Sequence, residues 1–312
     1  MKYDQTINIV SGGAGFLGSN LIKKLISKGE FVYCIDNLST GYILNIKQFN
    51  NNKRFNFINH DIRKSLELYS DKIWHFASPA SPSYYLKHPI ETIETGFNGT
   101  TNLVKLAIKN NSTFLFPSSS EIYGDPLVNP QIESYYGNLN SFGSRSCYAE
   151  SKRIGETICF EYFKNFGLKL RLARIFNTYG PNTSINDGRV ISKFIYQSLK
   201  KEKLSIFGSG EQTRSFCYVD DLIEGLLSLM NTDYSKPINL GNPNEISIKK
   251  LSEKIIGMVN PRLEKEFLIE MIDDPKQRRP SIEVANRVLN WNPKIPLDSG
   301  LKKTIEYFKK YI

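Results

Sequence analysis

Tyr148 and Lys152 stand one helical turn apart in the stretch YAESK, so in a helix both side chains share a face. A free phenol ionises near pH ~10 and is a poor base at neutral pH. A positive charge beside it favours the phenolate, which can then take the proton of an alcohol. The spacing alone is common on ordinary helices. It gains meaning from Gly12, Gly15 and Gly18, spaced GxxGxxG in SGGAGFLGSN between an apolar run and a helical pattern. Such a turn excludes Cβ atoms, and the helix after it offers free N–H groups to a pyrophosphate. Asp36 closes the next apolar run, where a carboxylate accepts hydrogen bonds from both ribose hydroxyls and repels a 2′-phosphate. NAD, rather than NADP, is the expected cofactor. With nicotinamide in place, Tyr148 would accept a sugar hydroxyl's proton as hydride leaves the same carbon. Lys152 would hold the nicotinamide ribose, and Ser119 would stand beside them at the end of a strand.

These residues need a scaffold that brings a glycine turn, a strand end and a helix face to one crevice. INIVS (7–11), FVYCID (31–36), FNFIN (55–59), KIWHFA (72–77), TFLFPS (113–118) and LKLRLARIF (168–176) read as strands. Helical patterns cover Phe16–Ser27, 90–109 and 148–166. The alternation predicts an α/β fold, a Rossmann-type doubly wound parallel sheet. After Asn177 the chain turns to loops and shorter elements. That texture predicts an NAD-binding domain over 1–177 and a smaller α/β substrate domain over 178–312, with the chain crossing back between them.

Composition narrows the class. Hydrophobic residues at 40% and charged residues at 23% exclude general disorder. No apolar run approaches the ~18–20 residues of a spanning helix. The first residues lack the basic, apolar and cleavage regions of a signal peptide, so a cytoplasmic protein without a membrane partner is expected. Forty-one basic against 31 acidic residues leave a formal charge of +10. The lysines alternate with apolar positions, as on a solvated helix face, and no nucleic-acid partner is expected. Cys34, Cys147, Cys159 and Cys217 form no CxxC pair, and His60, His75 and His88 form no cluster. Buried thiols and no metal site follow.

The glycine loop, the Tyr–Lys pair and Ser119 together resemble the extended short-chain dehydrogenase/reductase superfamily that acts on nucleotide sugars. Within it, the chain looks most like the UDP-glucuronate decarboxylase (UDP-xylose synthase) family. HFASPASP (75–82), SSSEIYGDP (118–126), RSCYAESKR (145–153), RIFNTYGP (174–181), DGRVIS (187–192), QTRSFCYVDDL (212–222), NLGNP (239–243) and DDPKQRRPSI (273–282) carry the likeness along essentially the whole chain. It implies that Ser119 hydrogen-bonds the reacting hydroxyl beside Tyr148 and that Glu121 faces the sugar. It implies cofactor contacts at Phe16, Leu17, Asn37, Ser39, Gly41, Asp61 (on the adenine), Ile62, Ala77, Ser78, Thr95, Thr178 and Arg189. Tyr85, Asn102, Tyr162, Asn177, Arg214 and Arg278 would meet the nucleoside-diphosphate sugar, guanidinium groups suiting its phosphates. A homodimer or dimer of dimers is implied through helices near 90–110 and 148–166. Leu103, Leu106, Ile154 and Ile158 could supply that contact, or could equally pack on the sheet.

One position departs from the likeness. The decarboxylases carry a lysine two residues past Thr92, against the substrate carboxylate; this chain has Glu94, in IETIETGF. Two carboxylates at ~4 Å repel by ~1 kcal/mol even in water. Glutamate there resembles the sugar 4,6-dehydratases, which bind neutral hexoses. Asn182 and Gly96 likewise replace the family's Arg and Asn. The leading expectation is therefore C4 oxidation of a neutral nucleoside-diphosphate sugar to a 4-keto sugar, for surface polysaccharide or sugar-nucleotide biosynthesis. Decarboxylation of UDP-glucuronate to UDP-xylose stands second. A 4,6-dehydratase (Ser120 stands where its Asp acid is usual) and a 4-epimerase follow. A non-enzymatic NAD sensor comes last, since it has no need of Ser119, Tyr148 and Lys152 together.

Overall fold

A computed structural model of the chain describes residues 5–143, 145–270 and 277–312; positions 273–276 of the DDPKQRRPSI stretch lie outside them. Six strands form the frame: β1 (Ile7–Ser11), β2 (Phe31–Asp36), β3 (Phe55–Asn59), β4 (Lys72–His75), β5 (Thr113–Ser119) and β6 (Lys169–Ile175). They pair in parallel in the order β3-β2-β1-β4-β5-β6, and Pro237–Leu240 returns from beyond residue 177 to add a seventh strand beside β6. Helices α1 (Phe16–Ser27), α2 (Pro82–Tyr85), α3 (Pro89–Glu94), α4 (Thr100–Asn110) and α5 (Ser146–Phe166) complete this half. The expected Rossmann-type α/β sheet is the one that forms. Its strands read as near-continuous apolar runs because both faces are covered. Ile9 and Val10, neighbours in β1, enter opposite cores: Val10 joins Leu21, Leu25 and Trp74, and Ile9 joins Leu103, Phe114 and Phe116.

The order of the strands places the site. From β1 the chain runs outward to β2 and β3, then returns to β4 on the other side of β1. The carboxyl ends of β1 and β4 therefore flank a crevice, the position where doubly wound sheets take ligands. Beyond β6, Thr213–Ser215 pairs with Glu245–Ser247 on one side and Gln277–Arg278 on the other, with Arg278 in register with Arg214. Two guanidinium groups distant in sequence thus sit side by side.

The helix expected over 90–109 is broken. A π-helical turn, Thr95–Gly99, separates α3 from α4. Close packing explains the glycines in it. A Cβ at Gly96 would lie 2.5 Å from the Ser151 Cβ of α5, and one at Gly99 would lie 2.4 Å from Ile62. The wider turn keeps both glycines inward while Thr95 reaches the crevice. No helix among the described residues is long and apolar enough to cross a membrane. Cys34, Cys147, Cys159 and Cys217 are buried free thiols.

Candidate active site

A cleft of about 440 Å³ opens where the sheet reverses. Gly12, Gly15, Phe16, Leu17 and Gly18 form its floor, and Asp36, Asn37, Ser39 and Gly41 line one end. Asp61, Ile62, Ala77, Ser78, Thr95 and Arg189 close it. Gly12 has φ +70°, and a Cβ there would lie 2.5 Å from the Ala77 amide nitrogen; one at Gly18 would lie 2.3 Å from the Gly12 carbonyl oxygen. Only glycine fits this turn. Helix α1 starts at once, with no side-chain cap and no acidic residue in its first turn, so its amide donors remain available to a pyrophosphate. Asp36 accepts from Ala14 N–H at 2.9 Å and Leu38 N–H at 2.8 Å. Burial raises its pKa against the pull of those two donors. The cradle fits a dinucleotide with an unphosphorylated adenosine ribose.

Tyr148 and Lys152 sit on consecutive turns of α5 and are both buried. The Tyr148 ring stacks on Tyr85, centroids 5.4 Å apart and planes 6° from parallel. Its pKa is pushed up to about 12: burial dominates, Glu121 adds to the rise, and the Ser119 hydrogen bond, Arg189 and Arg278 oppose it. Lys152 does not lower it as the spacing suggested. The ammonium instead donates to the Pro117 carbonyl at 2.9 Å and lies 5.9 Å from the Tyr148 ring centroid. Burial brings Lys152 itself down to about 8. At neutral pH the protein alone therefore holds a neutral phenol beside an ammonium, and a further cation is needed to release the phenol's proton.

An anion-binding corner adjoins this pair. Glu121 takes Arg278 Nη1 at 2.7 Å and lies 3.6 Å from Arg145 Nη2. Burial would raise the Glu121 pKa, but Arg278, Arg145 and Arg214 together hold it below the ordinary carboxylate value. Arg278 Nε and Nη2 are buried with no hydrogen-bond partner among the described residues. Buried donors of that kind call for an acceptor from outside the chain. Arg145, one residue before α5, was not singled out in the sequence; its place in RSCYAESK beside the tyrosine was the available signal. Asn177 lies half-buried between β6 and Thr178–Tyr179. Thr178 turns its hydroxyl back onto the Phe176 carbonyl at 2.9 Å.

Residues 8–241 match the NAD dependent epimerase/dehydratase family. The chain belongs to that family. It is an NAD-dependent enzyme of the extended short-chain dehydrogenase/reductase type. UDP-glucuronic acid decarboxylase 1 of Xenopus tropicalis is 48% identical over 97% of this chain and 72% of its own length. UDP-glucuronic acid decarboxylase 5 of Arabidopsis thaliana is 46% identical over 96% of this chain and 89% of its own. Among solved structures, a UDP-glucuronic acid 4-epimerase from Bacillus cereus, in complex with UDP-glucuronic acid and NAD, superposes with a TM-score of 0.89 at 28% identity. That match covers 98% of this chain and 100% of the epimerase.

Against this epimerase/dehydratase frame, three expected substrate contacts lie elsewhere. Glu94 ends α3 on the surface and pairs with Arg63 at 3.2 Å, and Arg63 also holds Asp61 at 2.6 Å. The carboxylate thus faces the Arg63 guanidinium beside Asp61. Asn102 donates its amide to the Ile62 carbonyl at 2.9 Å, which steadies the Asp61–Ile62 wall. Tyr162 packs on Phe166, centroids 5.1 Å apart, and lies about 21 Å along α5 from Tyr148 by helical rise. Leu103 and Leu106 are buried against the sheet, and Ile158 packs partly buried on the same core.

Proposed function

We propose that the chain is a UDP-glucuronate decarboxylase that forms UDP-xylose by way of a 4-keto intermediate. One observation carries this reading: Arg278, buried and bonded to Glu121 at 2.7 Å, keeps its Nε and Nη2 donors without a partner among the described residues. Guanidinium donors of that kind suit a substrate bearing a diphosphate and a carboxylate. The surface position of Glu94 removes the ground for a neutral sugar. Release of a 4-keto sugar, the leading expectation from sequence, thus gives way to decarboxylation, and the relatives from frog and plant support the change. Buried free thiols favour a reducing, cytoplasmic setting. Residues 1–177 would hold most of the cofactor and 178–312 much of the nucleotide sugar, with the chain crossing back between them through Arg189 and the strand Pro237–Leu240.

Bound NAD supplies the acceptor for the C4 hydride and the source of the hydride returned to C4. Tyr148 would take the C4 hydroxyl proton while Ser119 holds that hydroxyl, with the Ser119, Arg189 and Arg278 groups and the positive charge of a bound nicotinamide favouring the phenolate. The 4-ketone makes the C6 carboxylate a β-keto acid. The C5–C6 bond breaks, CO2 leaves, the electron pair enters the enolate, and a proton from solvent closes C5. Tyr148 then gives its proton to the C4 oxygen as the ketone is reduced. Glu121 remains ionised and clamped by Arg278, which makes it a weak base for the C5 proton that a 4,6-dehydratase must remove. Incubating the purified chain with UDP-glucuronate and NAD tests the assignment. Equal amounts of CO2 and UDP-xylose, with no lasting NADH absorbance, are expected. Accumulated NADH with a 4-keto sugar, or UDP-galacturonate without CO2, overturns it.

A further inference from the structure

Three consecutive residues at the end of β5 fasten α5. The Pro117 carbonyl accepts from Lys152 at 2.9 Å, Ser118 Oγ donates to Glu156 Oε1 at 2.5 Å, and Ser119 lies near enough to the Tyr148 phenol to pull its pKa down against burial. Tyr148, Lys152 and Glu156 follow one another at four-residue intervals on one helix face. The first two are the expected catalytic pair, and Glu156 lies one turn beyond them. Its carboxylate is nevertheless the most heavily bonded of the three. Arg174 grips it with Nε at 3.0 Å and Nη2 at 2.8 Å. Arg174 Nη1 donates to Tyr123 Oη at 3.0 Å and the Glu133 carbonyl at 2.8 Å. Tyr123 donates to Asn239 Oδ1 at 2.8 Å, and Asn239 Nδ2 donates to the Gln131 carbonyl at 3.0 Å and the Ser281 carbonyl at 3.3 Å. Gln131 Oε1 accepts Arg279 N–H at 2.8 Å. The bonded path runs from the catalytic helix, across the ends of β5 and β6, to the segment carrying Arg278.

We propose that Glu156 and Arg174 are positioning residues that set Tyr148 and Lys152 against Ser119 and tie that alignment to the Arg278 segment. The Arg145 N-cap gives α5 no side-chain cap bond, so this side of the helix is held through these fastenings to β5. Arg174 keeps the Glu156 carboxylate in the geometry that Ser118 requires, through a planar fork that a lysine cannot reproduce. Glu156 also acts through charge, helping to keep Lys152 protonated against burial. The other titratable groups facing Lys152 are Tyr148 and Cys159 on its own helix and His75 at the end of β4. Burial keeps His75 neutral near pH 7, with its pKa brought down to about 3.

The inference rests on the proposed reaction only for the name of the substrate. Glu156→Gln keeps the size and an acceptor for Ser118 but removes the charge. In the NAD-loaded protein, kcat with UDP-glucuronate should fall about tenfold to a hundredfold while KM stays within about threefold, the signature of misaligned chemistry. The basic limb of the kcat–pH profile should move to lower pH. The pH midpoint for acetylation of Lys152 by acetic anhydride, read by mass spectrometry, should move with it. Arg174→Lys should lower kcat without that downward move. If Glu156→Gln does not fold, Ser118→Ala carries the test and should lower kcat at constant KM. Unchanged kcat and labelling in a folded Glu156→Gln, or a loss confined to KM, overturns the proposal, as does an unchanged kcat in Ser118→Ala. Labelling needs no sugar, so a labelling shift in a chain that releases no CO2 sinks the substrate assignment and keeps the positioning role.

Discussion

Lys152 meets two opposed demands: its charge must be present for catalysis, yet it sits buried beneath a phenol. The folded chain lowers its pKa from 10.5 to about 8, so below pH ~8 the fold bears the full cost of a buried ammonium. Between about pH 8 and pH 10.5 the unfolded chain binds more protons than the folded one, and this residue's penalty fades as pH rises. Lys152→Met should therefore abolish turnover and stabilise the fold at pH 7. About 2 kcal/mol is expected, the desolvation relief less the hydrogen bond lost at Pro117. Urea unfolding should show that advantage shrinking towards pH 10.5; a variant less stable than the parent at pH 7 would contradict it. Glu94 makes the opposite case. Its half-exposed pair with Arg63 is worth at most about 1 kcal/mol. Glu94→Lys should leave kcat/KM for UDP-glucuronate within about fivefold. A larger change would put Glu94 back in the sugar pocket.

At the scale of elements, the strands were the most legible part of the chain. INIVS and FVYCID begin and end as strands where their apolar runs do, because a sheet covered on both faces leaves little polar alternation to blur them; FNFIN, at the sheet edge, keeps its bounds with Asn56 and Asn59 exposed. The glycine turn was legible for a related reason: three glycines between strand and helix have few other uses. The π-helical turn at Thr95–Gly99 was not. Its cause is contact with Ser151 and Ile62, far along the chain, and hydrophobic periodicity carries no trace of such a contact. The Glu94–Arg63 pair was hidden by the same blindness, since a motif position says which residue stands there and not which way a helix end turns it. The distance of Tyr162 from Tyr148 along α5 follows from their numbering. Gly96→Asn should accordingly destabilise the chain by about 1–3 kcal/mol through the overlap with Ser151. Adding Ser151→Gly should recover part of the loss in thermal unfolding; additive losses would contradict the packing account.

On the scale of the whole molecule, some of the apolar residues left on the surface lie on the elements expected to pair two copies. Ile90, Ile93 and Phe97 are exposed on α3 and its π-helical turn, and Ile154, Phe160 and Phe163 on α5. We propose that this face forms the homodimer contact in place of Leu103, Leu106 and Ile158. Phe160→Asp should lower the mass measured by sedimentation to that of one chain, and an unchanged mass would place the contact elsewhere. The proposed reaction is a loop: one carbon would be oxidised, a neighbouring bond broken, and the same carbon reduced against the same tyrosine. UDP-glucuronate deuterated at C4 follows that loop directly. When the NAD-loaded protein converts it, mass spectrometry should find the deuterium still at C4 of the UDP-xylose, with one CO2 released for each. Unlabelled UDP-xylose, or deuterium leaving in free NADH, would contradict oxidation and reduction of the same carbon within one enclosed site.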